Sequence, residues 1–120
     1  MTLTSEQLSA LLPGPVTLVF DRKPSLPAEL NPVNNESIGI RIPDNQFMIE
    51  LAQHLDEPIA LTSANISNQP SSLEIQEFTP LWTSLDLIVD AGRLISSSKA
   101  GSTVVDLTRK GYFHIIREGG

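Results

Sequence analysis

The 120-residue chain contains no cysteine, which excludes disulfides and thiol chemistry. Its two histidines, His54 and His114, lie far apart in sequence and argue against a histidine-built zinc site. Basic residues are scarce, eight against fourteen acidic ones for a net charge of −6, and they are scattered. No basic stripe is available to neutralise a phosphate backbone regardless of sequence, so any phosphate recognition has to be local. No apolar run is long enough to span a bilayer, and the stretch Met1 to Glu6 lacks the basic and apolar regions of a signal peptide; a cytosolic protein is expected. Neither a Gly-x-x-x-x-Gly-Lys-[Ser/Thr] loop nor a Gly-x-Ser-x-Gly elbow occurs, which removes P-loop nucleotide binding and the serine-hydrolase arrangement. No internal repeat is visible.

What is present reads as one globular domain over residues 1–120, with 40% hydrophobic and 18% charged residues. Thr4 three residues before Gln7 is a capping-box pattern, and Leu8, Leu11 and Leu12 follow at helical spacing until Pro13. Val16, Leu18 and Phe20 alternate with Thr17 and Val19, which predicts a strand. Arg22 to Asn35, with Pro24, Pro27 and Pro32, predicts an exposed loop. In Ser37 to Ile42 the three isoleucines share one face while Ser37, Gly39 and Arg41 share the other. Asp44 is placed to cap a helix whose stripe is Phe47, Met48, Leu51, Ala52 and Leu55, ended by Pro58. Strands are expected at Ile59 to Thr62 and Asp86 to Asp90, and a short helix after a second capping box, Ser71 with Glu74. Trp82 is expected in the core or at its rim, and Arg93 to Gly101 in a serine-rich loop. Ser102 to Thr108 and Tyr112 to Arg117 predict an antiparallel hairpin. Strands with intervening helices and a terminal hairpin give an α/β fold with a twisted mixed sheet and flanking helices. The opening on a lone short helix reads as a domain entered partway.

Three polar interruptions stand out: Arg41, the Ser63 to Asn65 loop, and Ser102-Thr103 with Arg117. Two readings of each are open. The loop after Ile59-Ala-Leu61 is either a serine-rich turn or a ligand loop at the end of a strand. Each arginine is either an edge cation reaching for water or an anchored group for an anion. Asp86, Asp90 and Asp106 read as strand-end or hairpin acceptors, and no nucleophile–base pair is evident. His54 fits a helix C-terminus and His114 a strand face.

Five segments, Pro13 to Thr17, Gly39 to Pro43, Leu61 to Asn65, Ser102 to Asp106 and Ile115 to Gly119, occur in the order of the YrdC-like threonylcarbamoyl-AMP synthases, and the chain resembles animal members of that family. The resemblance implies a nucleotidyltransferase that makes threonylcarbamoyl-adenylate and pyrophosphate from L-threonine, bicarbonate and ATP, the first step of N6-threonylcarbamoyladenosine formation at tRNA position 37. It implies that Arg41, Ser63 and Ser102 hold threonine. Asn65 and Arg117 contact ATP, with the backbone at Ser37 and Leu73 near the nucleotide. Magnesium comes with ATP, and no residue acts as a covalent or acid–base catalyst. Further implications are double-stranded RNA binding, delivery of product to a threonylcarbamoyl transferase complex with tRNA reached indirectly, and a cytoplasmic location, mitochondrial for a longer form. The family's upstream threonine-rich segment and Lys-x-Arg motif have no counterpart, so the resemblance covers roughly the C-terminal two-thirds of the YrdC-like domain. That departure raises two expectations: an incomplete or inactive form, or a non-catalytic nucleotide- or RNA-binding module. A related hydrogenase-maturation carbamoyltransferase domain is disfavoured, since no zinc-finger or acylphosphatase segment accompanies it.

Overall fold

The computed structural model describes residues 3–31, 36–95 and 101–119. The chain divides into two compact units, one formed by residues 1–60 and 102–119, the other by 61–101 with residue 120.

The first unit holds a four-stranded mixed sheet. Helix α1 (Ser5–Leu11) opens it with the expected capping box: the Thr4 hydroxyl accepts from the Gln7 amide at 3.1 Å, and the Gln7 side chain accepts from the Thr4 amide at 2.9 Å. Strands β1 (Val16–Asp21), β2 (Ser37–Ile40), β3 (Thr103–Asp106) and β4 (His114–Arg117) follow, in the spatial order β2-β1-β3-β4. β1 pairs antiparallel with β2 and parallel with β3, and β3 pairs antiparallel with β4 across an irregularity at Val104/Val105. Leu18, fully buried, sits opposite both Ile40 and Val105 and anchors the apolar face. A cleft of about 360 Å³ lies on that face, with Phe20, Leu26, Ile38 and Ile40 among its walls. The loop leaving β1 is held by Arg22, whose guanidinium donates to the backbone carbonyls of Leu26, Pro27 and Asn31. Pro32 to Asn35 lies outside the described residues.

Helix α2 (Gln46–Leu55) is capped by Asn45, whose side chain accepts from the Met48 amide at 3.0 Å, one residue later than the expected Asp44. His54 lies in its last turn as expected, where a cation complements the helix dipole. Phe47 and Leu55 of the predicted stripe are exposed.

The hairpin supplies a pH prediction. Asp106, opposite His114, accepts the Thr108 amide at 2.9 Å. That bond, then the Thr108 hydroxyl and then the His114 charge, hold its carboxyl below the usual aspartate value. A lowered folded-state pKa stabilises the fold above the unfolded value, and the contribution disappears as pH falls through the folded one. Asp106→Asn is therefore expected to melt lower than the parent at neutral pH, with the gap closing in acid. Thermal melts followed by circular dichroism between about pH 7 and about pH 2 check it. A gap unchanged in acid excludes the charge as its cause.

Beyond helix α2 the structure corrects two strand expectations. Neither Ile59 to Thr62 nor Asp86 to Asp90 forms a strand, because among the described residues neither segment has a neighbour to complete a ladder. The Ser71 with Glu74 capping box is also not made. The helical segment α3 (Ile75–Ser84) is a kinked 3₁₀ run with Pro80 inside, and Glu74 precedes it without a side-chain cap. Trp82, half-buried, donates from its indole nitrogen to the Ile75 carbonyl at 3.0 Å. Residues 96–100 of the serine-rich loop lie outside the described residues.

Candidate functional site

In the first unit the polar groups gather around Ser102, which immediately precedes β3. Parallel pairing of Val16 with Thr103 brings β1 alongside, and the Thr17 and Ser102 hydroxyl oxygens lie 2.8 Å apart. Arg117, at the end of β4 and opposite Val104, reaches back to the same residue. Its Nε and Nη2 donate to the Ser102 carbonyl at 3.0 and 2.7 Å, and Nη2 also lies 3.2 Å from the Ser102 hydroxyl. Ser102 is only 7% exposed, so its carbonyl needs this grip: a buried carbonyl left unpaired costs about 1–3 kcal/mol. Arg117 itself is exposed, and among the described residues its Nη1 is not engaged, leaving donors for an anion.

β2 contributes the adjoining positions. The register sets Val19 opposite Gly39 and Asp21 opposite Ser37, so Ser37 and Gly39 share the sheet face opposite to that of Leu18 and Ile40. Gly39 makes room there, since a Cβ built on it would stand 3.2 Å from the Thr17 methyl. Arg41 follows the strand by one residue, exposed, and no ion pair engages it among the described residues. The Ser37 carbonyl accepts from the Asn31 amide side chain at 2.8 Å.

In the second unit Ser63, Asn65 and Leu73 belong to one hydrogen-bonded loop. The Asn65 amide nitrogen donates to the Ile66 carbonyl at 2.8 Å and the Gln69 carbonyl at 3.0 Å, closing the turn that Asn68 completes at φ 68°. With both donor directions used, Oδ1 remains, buried and without a partner among the described residues. The Asn65 backbone amide bonds the Ser63 carbonyl at 3.1 Å, and Ser63 itself is exposed. The Ser72 hydroxyl donates to the Ala64 carbonyl, between the two, at 2.6 Å. Leu73 is buried, its amide bonded to a Glu77 carboxylate oxygen at 2.7 Å and its carbonyl to the Leu94 amide at 2.8 Å. A ligand near Leu73 therefore meets its side chain or the second lone pair of its carbonyl, not a free N–H.

Ser102 and Arg117 are thus in direct contact, with Ser37 and Arg41 in and beside β2, while Ser63, Asn65 and Leu73 share one loop. Two contributors carry no role in the sequence reading. Thr17 was signalled by alternation, which turns it away from the Leu18 face. Ser72 has no comparable signal, since Ser71 beside it shows the better capping spacing. Asp90 is a turn acceptor, taking the Gly92 amide at 2.8 Å, which fits the expected acceptor role.

The profile of the Sua5/YciO/YrdC family, which carries the description telomere recombination, matches residues 2–119. A mouse protein named threonylcarbamoyl-AMP synthase is 51% identical over 118 residues, covering 95% of this chain and 42% of that protein. The crystal structure of Pyrococcus abyssi Sua5 complexed with L-threonine superposes with a TM-score of 0.81 at 27% identity, covering 100% of this chain and 35% of that one. Escherichia coli YciO, at 24% identity and a TM-score of 0.78 over 98% of this chain and 57% of that one, shares the fold.

Proposed function

Since the chain belongs to the Sua5/YciO/YrdC family, we propose that it supplies ligand-binding elements of a threonylcarbamoyl-AMP synthase, a nucleotidyltransferase acting on L-threonine, bicarbonate and ATP. The observation that carries the reading is the 51% identity, spread over 95% of the chain, to a protein of that name. The chain spans 42% of that relative, so the activity of the whole protein is part of the proposal.

The chemistry joins the threonine amine to bicarbonate as a carbamate, releasing water. A carbamate oxygen then attacks the α-phosphorus of ATP, and the bond to the β-phosphate breaks to release pyrophosphate. No covalent enzyme intermediate is needed, so the protein's task is to position reactants and balance charge. Arg41 suits the threonine carboxylate, with the Ser63 hydroxyl as a neutral partner and Ser102 aligning the neighbouring groups. Arg117 offers Nη1 to a phosphate oxygen while its other nitrogens hold Ser102. Asn65 retains an acceptor, Oδ1, and takes an N–H or O–H; ATP provides these at its adenine amine and ribose hydroxyls, not at its phosphates. Ser37 and Leu73 line the nucleotide from the backbone. Magnesium enters on the triphosphate as part of the substrate. The product passes to a threonylcarbamoyl transferase complex acting on tRNA in the cytoplasm, or in mitochondria for a longer form. Among the described residues no helix is long and apolar enough to cross a membrane.

Calorimetric titration with L-threonine, alone and with ATP present, tests the reading. The expected result is saturable threonine binding that weakens by about tenfold or more in Arg41→Ala, which loses a charge-assisted contact. Absence of saturable binding, or equal binding of D-threonine, would remove threonine as the ligand. The alternative, a non-catalytic binding module, predicts ATP or double-stranded RNA binding without turnover.

A further inference from the structure

We infer that Ser72 and Glu77 are positioning residues that set the Ser63 to Asn65 loop for its ligands, an inference that rests on the threonine and ATP reading above. The starting point is Leu73, the buried residue next to Ser72. Both its backbone polar groups are satisfied from other segments: the amide by Glu77 at 2.7 Å, the carbonyl by Leu94 at 2.8 Å. A buried, doubly bonded peptide is a fixed point, and it fixes the residue before it. From there the Ser72 hydroxyl reaches the Ala64 carbonyl at 2.6 Å, on the residue flanked by Ser63 and Asn65.

Arg93 completes the arrangement beside Leu94. Its Nη1 stands 3.1 Å from a Glu74 carboxylate oxygen and 3.9 Å from one of Glu77, tying the strip around residue 93 to the segment around residue 74. Half-exposed ion pairs of this kind add little stability, commonly below about 1 kcal/mol. Glu77 is set by its own bond to the Leu73 amide, and Arg93 adds only a longer-range attraction. A chain of hydrogen bonds and covalent neighbours thus runs from Glu77 through Leu73 and Ser72 to Ala64. Asn65 is braced independently by its own bonds to Ile66 and Gln69, so the Ser72 bond is what relates the loop to Leu73.

The test uses the full chain with Ser72→Ala, Glu77→Ala and Glu77→Gln, set against Ser63→Ala and Asn65→Ala. Affinities for L-threonine and ATP are measured by calorimetry, with thermal midpoints in parallel. Loosening a ligand loop by a fraction of an ångström is expected to weaken both ligands by about tenfold in Ser72→Ala and Glu77→Ala. Glu77→Gln, which keeps an oxygen for the Leu73 amide, should recover most of the loss. If Ser72→Ala fails to fold, Ser72→Thr, which retains the hydroxyl, should bind like the parent while the Glu77 pair carries the comparison. Parent-like affinities in Ser72→Ala and Glu77→Ala, alongside weakened binding in Ser63→Ala and Asn65→Ala, overturn the positioning role alone. Parent-like affinities in Ser63→Ala and Asn65→Ala overturn the ligand reading of the loop, and the positioning role with it. Equal loss in Glu77→Ala and Glu77→Gln, matched by lowered melting, contradicts positioning and indicates general support of the fold.

Discussion

Arg117→Ala is expected to lower stability by about 2–3 kcal/mol and to weaken ATP binding by about a hundredfold, the two effects arising from different nitrogens of one side chain. Nε and Nη2 hold the Ser102 carbonyl, which is buried and loses its side-chain partner when the guanidinium is removed. The stability loss should appear in urea denaturation as a shifted midpoint with an unchanged slope, since the unfolded surface is the same. The binding loss belongs to Nη1, which faces no partner among the described residues and is the group proposed for phosphate. Arg117→Lys separates the two. A lysine ammonium has three donors but on a single nitrogen, so it cannot grip the carbonyl through two nitrogens while placing a third where Nη1 stands; it should recover part of the stability and little of the affinity. Full stability in Arg117→Ala would show that Ser102 finds another donor and that the network is not what it is argued to be.

Asn65→Ala is expected to reduce nucleotide affinity by a similar factor while moving the melting temperature much less. Two terms oppose each other in the free protein. The substitution deletes two neutral hydrogen bonds, each contributing about 1 kcal/mol, but it also removes a buried acceptor that has no partner among the described residues. In the bound protein that acceptor is the one proposed to meet the nucleotide, so only the loss remains. Asn65→Asp sharpens the point. It keeps an oxygen at Oδ1 but replaces the donor with a charged oxygen facing the Ile66 and Gln69 carbonyls, so the loop should open and the variant should be less stable than Asn65→Ala. Calorimetry with ATP and thermal melts on both variants provide the check. Unchanged affinity in Asn65→Ala would leave this residue as a brace for the turn and nothing more.

How far the sequence foretold this arrangement depended on whether a contact was local. The Thr4 capping box, the alternation in β1 and β2 and the terminal hairpin are written within a few residues, and each appears as expected. The parallel pairing of β1 with β3 joins residues more than eighty positions apart, and no local pattern announces it. That pairing brings Thr17 to Ser102, so the contact was illegible even though both residues lie in segments that carry the family resemblance. Where expectation failed, a local pattern lacked its tertiary partner. Ile59 to Thr62 has strand-like residues but no neighbouring strand among those described, and Glu74 has capping spacing from Ser71 but meets Arg93 instead. Asn65 was legible as a candidate for the site. The donor or acceptor it would offer was not, because that depends on which of its atoms the loop consumes.

The most direct measurement is product formation from ATP, L-threonine and ¹³C-bicarbonate, with the nucleotide products resolved by mass spectrometry. The expected product is an adenylate carrying threonine and the labelled carbon, formed together with pyrophosphate and only when all three substrates are present. Pyrophosphate released without threonine, or no labelled adenylate when ATP and threonine are both bound, would contradict it.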